Sequence, residues 1–269
     1  MDPGHPQVVA HRGASHDVPE HTLGAYLRAI EAGADALECD VRLTADGHLV
    51  CVHDRRVERT SDGRGKVSTL ELAQLEGLDW ASWKLAHPGT SGEMPDRDRG
   101  RLLTLRRLLA AVADCGRRVE VAVETKHPTR YAGQVEREVV DVLDHFGWAQ
   151  PRRDEPPRVR VMSFSTRALQ RVRVMAPSVP LVMLMHHRSM RYRDGVLPRG
   201  VRIAGVSVRT LRDERWYVER LQQQGHRVHV WTVDSPDDVR RCLQARVDAI
   251  ITNRPDAVLA HLGRSVGAE

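Results

Sequence analysis

The chain has 269 residues, 41% of them apolar and 29% charged, with a formal net charge of +5. This balance excludes a collagen-like, a disordered and a membrane-spanning chain, and folding at this length buries roughly 70–75% of the unfolded surface without disulfide support. One large α/β barrel or two ordinary domains both fit the length.

The first residues, Met1-Asp-Pro-Gly-His-Pro6, have neither a basic start nor an apolar run, so no signal peptide is expected and the cytoplasm is the expected compartment. Val8–Arg12 reads as a strand, followed by a helix over Thr22–Ala32 that stops at Gly33. Ala36–Leu43 and His48–His53 read as strands joined by the tight-turn signal Ala45-Asp-Gly47. From Asp54 to Gly100 Gly, Pro, Asp, Ser and Arg dominate, with one short helical piece at Thr69–Leu75 and Trp80 and Trp83 nearby. This stretch reads as an insertion lying on the fold. Alternation then resumes: helix Leu102–Asp114, strand Val119–Glu124, helix Tyr131–Phe146, strand Val159–Phe164 and helix Arg167–Met175. Strands Leu181–Met185, Ala204–Val208, Arg227–Val233 and Ala249–Thr252 complete the pattern, with helices after most of them. The apolar runs are strand-sized, far short of the ~18 residues that cross a bilayer.

With His48–His53 counted as an extension of the second strand, the pattern has eight βα units, the size of a (β/α)₈ barrel. A doubly wound open sheet is the competitor, but no GxGxxG follows the first strand. Cys39, Cys51, Cys115 and Cys242 lack any CxxC spacing, which argues for buried reduced thiols over a zinc site or a disulfide framework. The pI near 9.3 invites a nucleic-acid partner. However, the basic residues are dispersed, no nucleic-acid motif appears, and five Trp, four Tyr and two Phe offer few stacking platforms. An anionic small molecule accounts for the charge with less machinery. Lys66, Lys84 and Lys126 are the only lysines among 41 basic residues; codon bias accounts for much of that, and a lysine kept in such a chain is a candidate place for a compact ammonium in preference to a guanidinium fork.

The polar residues that interrupt the apolar pattern fall at strand C-terminal ends, where a parallel barrel forms its active site. They are His11, Arg12, Glu38, Asp40, His53, Glu124 and Lys126. Side chains alternate along a strand, so Glu38-x-Asp40 sets two carboxylates on one face with Cys39 pointing away, and Glu124-x-Lys126 sets an acid beside a base. Three converging carboxylates stay ionised most easily around a divalent cation, and all-oxygen donors favour Mg²⁺ or Ca²⁺. Three unrelated acids paired with arginines is the competing reading. His11 and His53, on neighbouring strand ends, suggest an acid/base pair. Arg12 and Lys126 suggest an anion clamp suited to phosphoryl chemistry.

Ala10-His-Arg-Gly13, Pro19-Glu-His-Thr22, Leu37-Glu-Cys-Asp-Val-Arg-Leu-Thr44 and Val50-Cys-Val-His-Asp54 resemble the glycerophosphodiester phosphodiesterase family. The likeness continues through Thr60–Gly65, Leu103-Thr-Leu105, Val123-Glu-Thr-Lys126, Ser163-Phe164, Val230–Asp234 and Asp248–Pro255, in the family's order over nearly the whole chain. The resemblance implies a single TIM-barrel domain over 1–269 with a small insertion, 54–100, after the second strand. It implies Glu38, Asp40 and Glu124 as ligands of one divalent metal, and His11 and His53 as the general acid and base. Arg12 and Lys126 would hold the phosphate, Glu20 would support the site, and Trp231 would line its substrate end or else sit in the core.

In two places the chain departs from the family pattern. His21 stands where the family carries Asn, and Thr252-Asn-Arg-Pro255 stands for T-D-x-P, a motif expected to cap the last helix. The expected activity is metal-dependent hydrolysis of glycerophosphodiesters to sn-glycerol 3-phosphate and an alcohol. The alternatives are cleavage of lysophospholipids at the same site, or a non-catalytic barrel that binds phosphorylated ligands. The expected partner is a small phosphodiester, with no nucleic acid and no stable membrane insertion; oligomeric state is not legible.

Overall fold

The computed structural model describes residues 5–85, 100–151, 155–187 and 191–264. Nine strands follow in chain order, β1 (Gln7–His11), β2 (Ala36–Leu43), β3 (Leu49–Cys51), β4 (Glu120–Thr125), β5 (Val159–Ser163), β6 (Leu181–Met185), β7 (Ile203–Ser207), β8 (Arg227–Trp231) and β9 (Ala249–Thr252). The helices are α1 (Leu23–Glu31), α2 (Leu72–Glu76), α3 (Ser82–Leu85), α4 (Leu105–Ala113), α5 (Gln134–His145), α6 (Thr166–Met175), α7 (Val208–Asp213), α8 (Arg215–Gln223), α9 (Pro236–Gln244) and α10 (Pro255–His261). All strands but β3 run parallel, and β1 pairs with both β9 and β2, which closes an eight-stranded barrel.

The period of two along each strand builds two cores. Val9, Ala36, Ala122, Met162, Val182, Leu184, Ile203 and Ile251 fill the lumen, and their sequence neighbours, such as Val8, Leu37, Val121 and Val161, pack outward against the helices. Above the filled layers the polar side chains of the strand C-terminal ends open onto one cavity, and a second, lined by Gln7, Glu120, Arg160 and Asp248, lies at the opposite, N-terminal ends. Ser or Thr starts five of the helices around the C-terminal rim. Thr22, Thr104, Ser165, Ser207 and Ser235 each accept a hydrogen bond from a backbone N–H of the first turn of α1, α4, α6, α7 and α9.

Three expectations need correction. His48–His53 does not extend the second strand. Its core, β3, folds back antiparallel on β2 outside the barrel, and the hairpin is closed by Thr44 N–H donating to His48 O at 3.0 Å. The helix expected from Leu102 begins at Leu105, because Leu103 and Thr104 are extended alongside β3, with Cys51 N–H donating to Leu103 O at 2.8 Å. Cys39, Cys51 and Cys242 are buried as expected, whereas Cys115 is only partly buried, in the turn that ends α4.

The segment after β3 forms a satellite cluster in which Val57, Val67, Leu75 and Trp80 pack on Val50, Val52 and Leu102. Residues 86–99 of the expected insertion lie outside the described residues. Among the described residues no helix is long and apolar enough to cross a membrane.

Candidate active site

His11 is the last residue of β1, and the chain turns sharply beyond it. Arg12 and Gly13 both take positive φ, 57° and 86°. A Cβ at Gly13 would lie 2.6 Å from the Ala25 backbone carbon, so only glycine lets the turn pack on α1. Arg12 pays for its left-handed backbone, roughly 1–2 kcal/mol away from glycine, with two bonds from its N–H, to Glu38 O and Glu38 Oε2, each 3.1 Å.

Strand register places the acids side by side: His11 pairs with Glu38 across β1 and β2, and Asp40 pairs with Glu124 across β2 and β4. Glu38, Asp40 and Glu124 are all buried, and a carboxylate oxygen from each lies within 4.8 Å of the others. Burial and the neighbouring Asp40 raise Glu38 well above the usual carboxylate range, and the same two causes lift Glu124 to about 8. Burial pushes Asp40 the same way, but Lys126, His21 and Arg12 outweigh it and hold that carboxyl well below the usual range. Lys126 Nζ lies 3.2 Å from Asp40 Oδ1 and 2.8 Å from Glu124 Oε1, and Arg12 Nε lies 3.0 Å from Asp40 Oδ2. Three clustered buried carboxyl groups, of which Glu38 and Glu124 are raised by burial and by the charge of Asp40, fit a hard divalent cation, which would let all three ionise.

The two histidines are held by different partners. His11 Nδ1 lies 2.7 Å from Asn253 Oδ1. The amide cannot be turned the other way, because Asn253 Nδ2 donates to Asp234 Oδ2 at 2.7 Å and Ser15 Oγ donates to the same Oδ1 at 2.8 Å. His11 therefore carries its proton on Nδ1 and leaves Nε2 with a free lone pair. Burial and Arg12 lower its pKa to about 4. His53 Nδ1 instead meets the Asp54 carboxylate at 2.7 Å, and its backbone carbonyl accepts two bonds from Arg42, at 3.0 and 2.7 Å. Burial lowers His53 as well, with Asp54 opposing.

All nine residues expected at the site are described, and eight of them line or underlie one cavity of about 360 Å³ at the barrel mouth. Its polar half is formed by His11, Arg12, Glu38, His53, Glu124 and Lys126, with Asp40 just beneath. Met162, Phe164, Leu184, Trp231 and Ile251 form the apolar half. Trp231 is both lining and half-buried, with its ring edge-on to Phe164 at 5.7 Å. Glu20 stands outside the cavity and ties Arg12 Nη1 (3.0 Å) to Arg59 Nη2 (2.7 Å).

The same Arg59 reaches Asp54, so one guanidinium of the satellite segment braces the partners of both Arg12 and His53. Asp54 and Asp234 end two of the family-like blocks without a role being expected of them, and Arg59, Ser15 and Tyr26 lie outside those blocks. Asn253 was expected to cap α10. The cap position is Arg254 without a side-chain bond, and Asn253 holds His11 instead. His21, at φ 61°, is buried between Tyr26 Oη (2.8 Å) and Asp40 Oδ2 (3.0 Å). Burial lowers its pKa; Nε2–H donates to Asp40, and Nδ1 lies against Tyr26 Oη, whose hydroxyl also donates to Glu38 O at 3.1 Å.

The glycerophosphoryl diester phosphodiesterase family matches this chain over residues 11–257. A probable glycerophosphodiester phosphodiesterase 1 of Mycobacterium tuberculosis is 44% identical over 98% of this chain and 96% of its own length. A glycerophosphodiester phosphodiesterase of Bacillus subtilis is 31% identical over 95% of this chain and 86% of its own. Among solved structures, an Oleispira antarctica phosphodiesterase in complex with the product sn-glycerol-3-phosphate shares the fold with a TM-score of 0.81. It is 22% identical, covering 96% of this chain and 97% of that one.

Proposed function

The chain belongs to the glycerophosphoryl diester phosphodiesterase family, and from that premise we propose how its cavity hydrolyses glycerophosphodiesters to sn-glycerol 3-phosphate and an alcohol. The observation that carries the reading is the meeting of three buried carboxylates, two separately braced histidines and two cations in one cavity of about 360 Å³. Glu38, Asp40 and Glu124 are assigned to one divalent cation, Mg²⁺ or Ca²⁺. When bound, such an ion supplies Lewis-acid polarisation of the phosphoryl group.

The chain's own residues do the rest. Arg12 and Lys126 hold the phosphate and stabilise charge on its oxygens as the new P–O bond forms and the bond to the alcohol breaks. His11, neutral against an amide, takes the proton of the nucleophile at Nε2, whether that is water or the substrate's own glycerol hydroxyl; in the second case a cyclic phosphate forms, which water then opens to sn-glycerol 3-phosphate. His53, whose carboxylate partner favours the protonated ring, delivers a proton to the departing alkoxide. Glu20 keeps Arg12 in place, and Trp231 lines the substrate end. The Oleispira antarctica relative of like fold, which holds sn-glycerol-3-phosphate, supports a ligand of this class.

The same reading takes 1–269 as one domain with 54–100 as a small insertion. It places the enzyme in the cytoplasm, where four free thiols, three of them buried, suit a reducing environment. Replacing His11 or His53 by alanine is expected to abolish turnover and leave the circular dichroism spectrum unchanged. Near-wild-type rates in either variant would remove the acid/base assignment.

A further inference from the structure

Glu136 is a charge in an unexpected place. It sits in the first turn of α5, fully buried, among Val135, Val139 and Val140, and none of the catalytic roles proposed above uses it. Its one hydrogen bond comes from His127, Nε2 to Oε1 at 2.7 Å. Its other oxygen has no hydrogen-bond partner, with Arg171 Nη1 at 3.5 Å. A buried carboxylate with so little support is costly, and an apolar side chain would serve stability as well or better. What it does accomplish is to fix a ring. With Nε2 committed to Glu136, Nδ1 is the ring nitrogen left over, and no group among the described residues bonds it.

His127 follows Lys126 directly and lines the same cavity. Around the barrel the polar wall comes from β1, β2 and β4, and the apolar wall from β5, β6, β8 and β9. His127 stands at the β4–β5 seam between them. A phosphate gripped by Arg12 and Lys126 on one side extends its organic part over Met162 and Phe164 on the other, and so passes His127. On that side the cavity otherwise offers a substrate hydroxyl mostly apolar surface, with His186 stacked on Phe164 and Thr232 after β8 as the other polar residues of the lining.

We infer that the His127–Glu136 pair is a specificity device whose His127 Nδ1 hydrogen-bonds a hydroxyl on the carbon skeleton next to the scissile phosphate. It thereby selects polyol phosphodiesters over diesters of simple alcohols. The inference rests on the phosphodiesterase reading and goes beyond it, since the acid/base and metal assignments do not need His127. A site built to bond a hydroxyl discriminates through the unpaired group it is left with when the hydroxyl is missing.

The test compares kcat/KM for glycerophosphoethanolamine with that for propylphosphoethanolamine, which has the same phosphate and leaving alcohol but no free hydroxyls. Wild-type protein is expected to prefer the glycerol diester. His127→Phe should cut that preference by about 10- to 100-fold, with the rate on the propyl diester changed less than about twofold. Glu136→Leu should reproduce the loss, whereas Glu136→Gln, which keeps a hydrogen-bond partner for Nε2, should restore most of the preference. An unchanged ratio in His127→Phe, or an equal fall on both diesters, would overturn the inference and leave His127 as a structural link to α5. Failure of the wild-type protein to cleave either diester would instead count against the phosphodiesterase reading, and the inference would fall with it.

Discussion

At the scale of single residues, the chemistry depends on side chains that hold other side chains. His11 and His53 were legible because a histidine at a strand end interrupts an apolar run, and so were Glu38, Asp40, Glu124 and Lys126. Their braces were not. Asn253 lies 242 residues from His11 in the chain and touches it only because β9 pairs with β1. Its place before Pro255 made helix capping the natural expectation. Asn253→Leu removes the acceptor that sets the His11 tautomer. It is expected to lower kcat about 10- to 100-fold with little change in KM, as when the partner of an oriented imidazole is lost. Asn253→Asp, which keeps an acceptor oxygen, should retain much more activity. Steady-state kinetics on the two variants check this, and equal rates in Asn253→Leu and wild type would show that His11 needs no brace. His21 was noticed as a departure from the family pattern, but its bond to Asp40 depends on a left-handed backbone that no motif announces.

At the scale of elements, most strands were legible to within a residue or two, because a buried parallel strand is a short apolar run between turn signals. The exceptions share a cause. Leu102–Thr104 and His48–His53 are apolar enough for a helix start and a barrel strand, yet they pair with each other beside the barrel. Composition cannot report which partner a β-prone segment finds. The helix starts were more readable, since each rim helix named above opens on Ser or Thr. Thr104, far from the histidines, tests that reading. Its hydroxyl accepts from Arg107 N–H at 3.2 Å. Thr104→Ala is expected to cost about 1 kcal/mol and to lower Tm by about 2 °C in calorimetry, with kcat unchanged. No change in Tm would show that pairing of Thr104 with Val50, not the cap, starts α4.

At the scale of the whole molecule, the barrel gathers like charges that an ordinary core would keep apart, and its stability should report this. Glu124 is raised from 4.5 to about 8 by burial and Asp40, and Glu38 moves in the same direction. The native chain therefore holds protons that the unfolded chain releases, whereas His11, His21 and His53, all lowered from 6.5, act oppositely in more acid solution; it is between about pH 6.5 and 8 that the metal-free protein loses stability as pH rises. Asp40 acts oppositely, and its contribution is lost only in strong acid. Thermal melts without metal should show Tm falling over that window, with saturating Mg²⁺ or Ca²⁺ flattening the profile and Glu124→Gln reducing the slope. A metal-free Tm that climbs towards pH 8 would contradict the charge arrangement. The central claim, that this carboxylate cluster makes the barrel a metal-dependent phosphodiesterase, is met most directly by one measurement. Release of sn-glycerol 3-phosphate from glycerophosphocholine by purified protein is followed with Mg²⁺, with Ca²⁺ and with a chelator. The account predicts release with at least one of the ions and none with the chelator. Undiminished release in the chelator would contradict it.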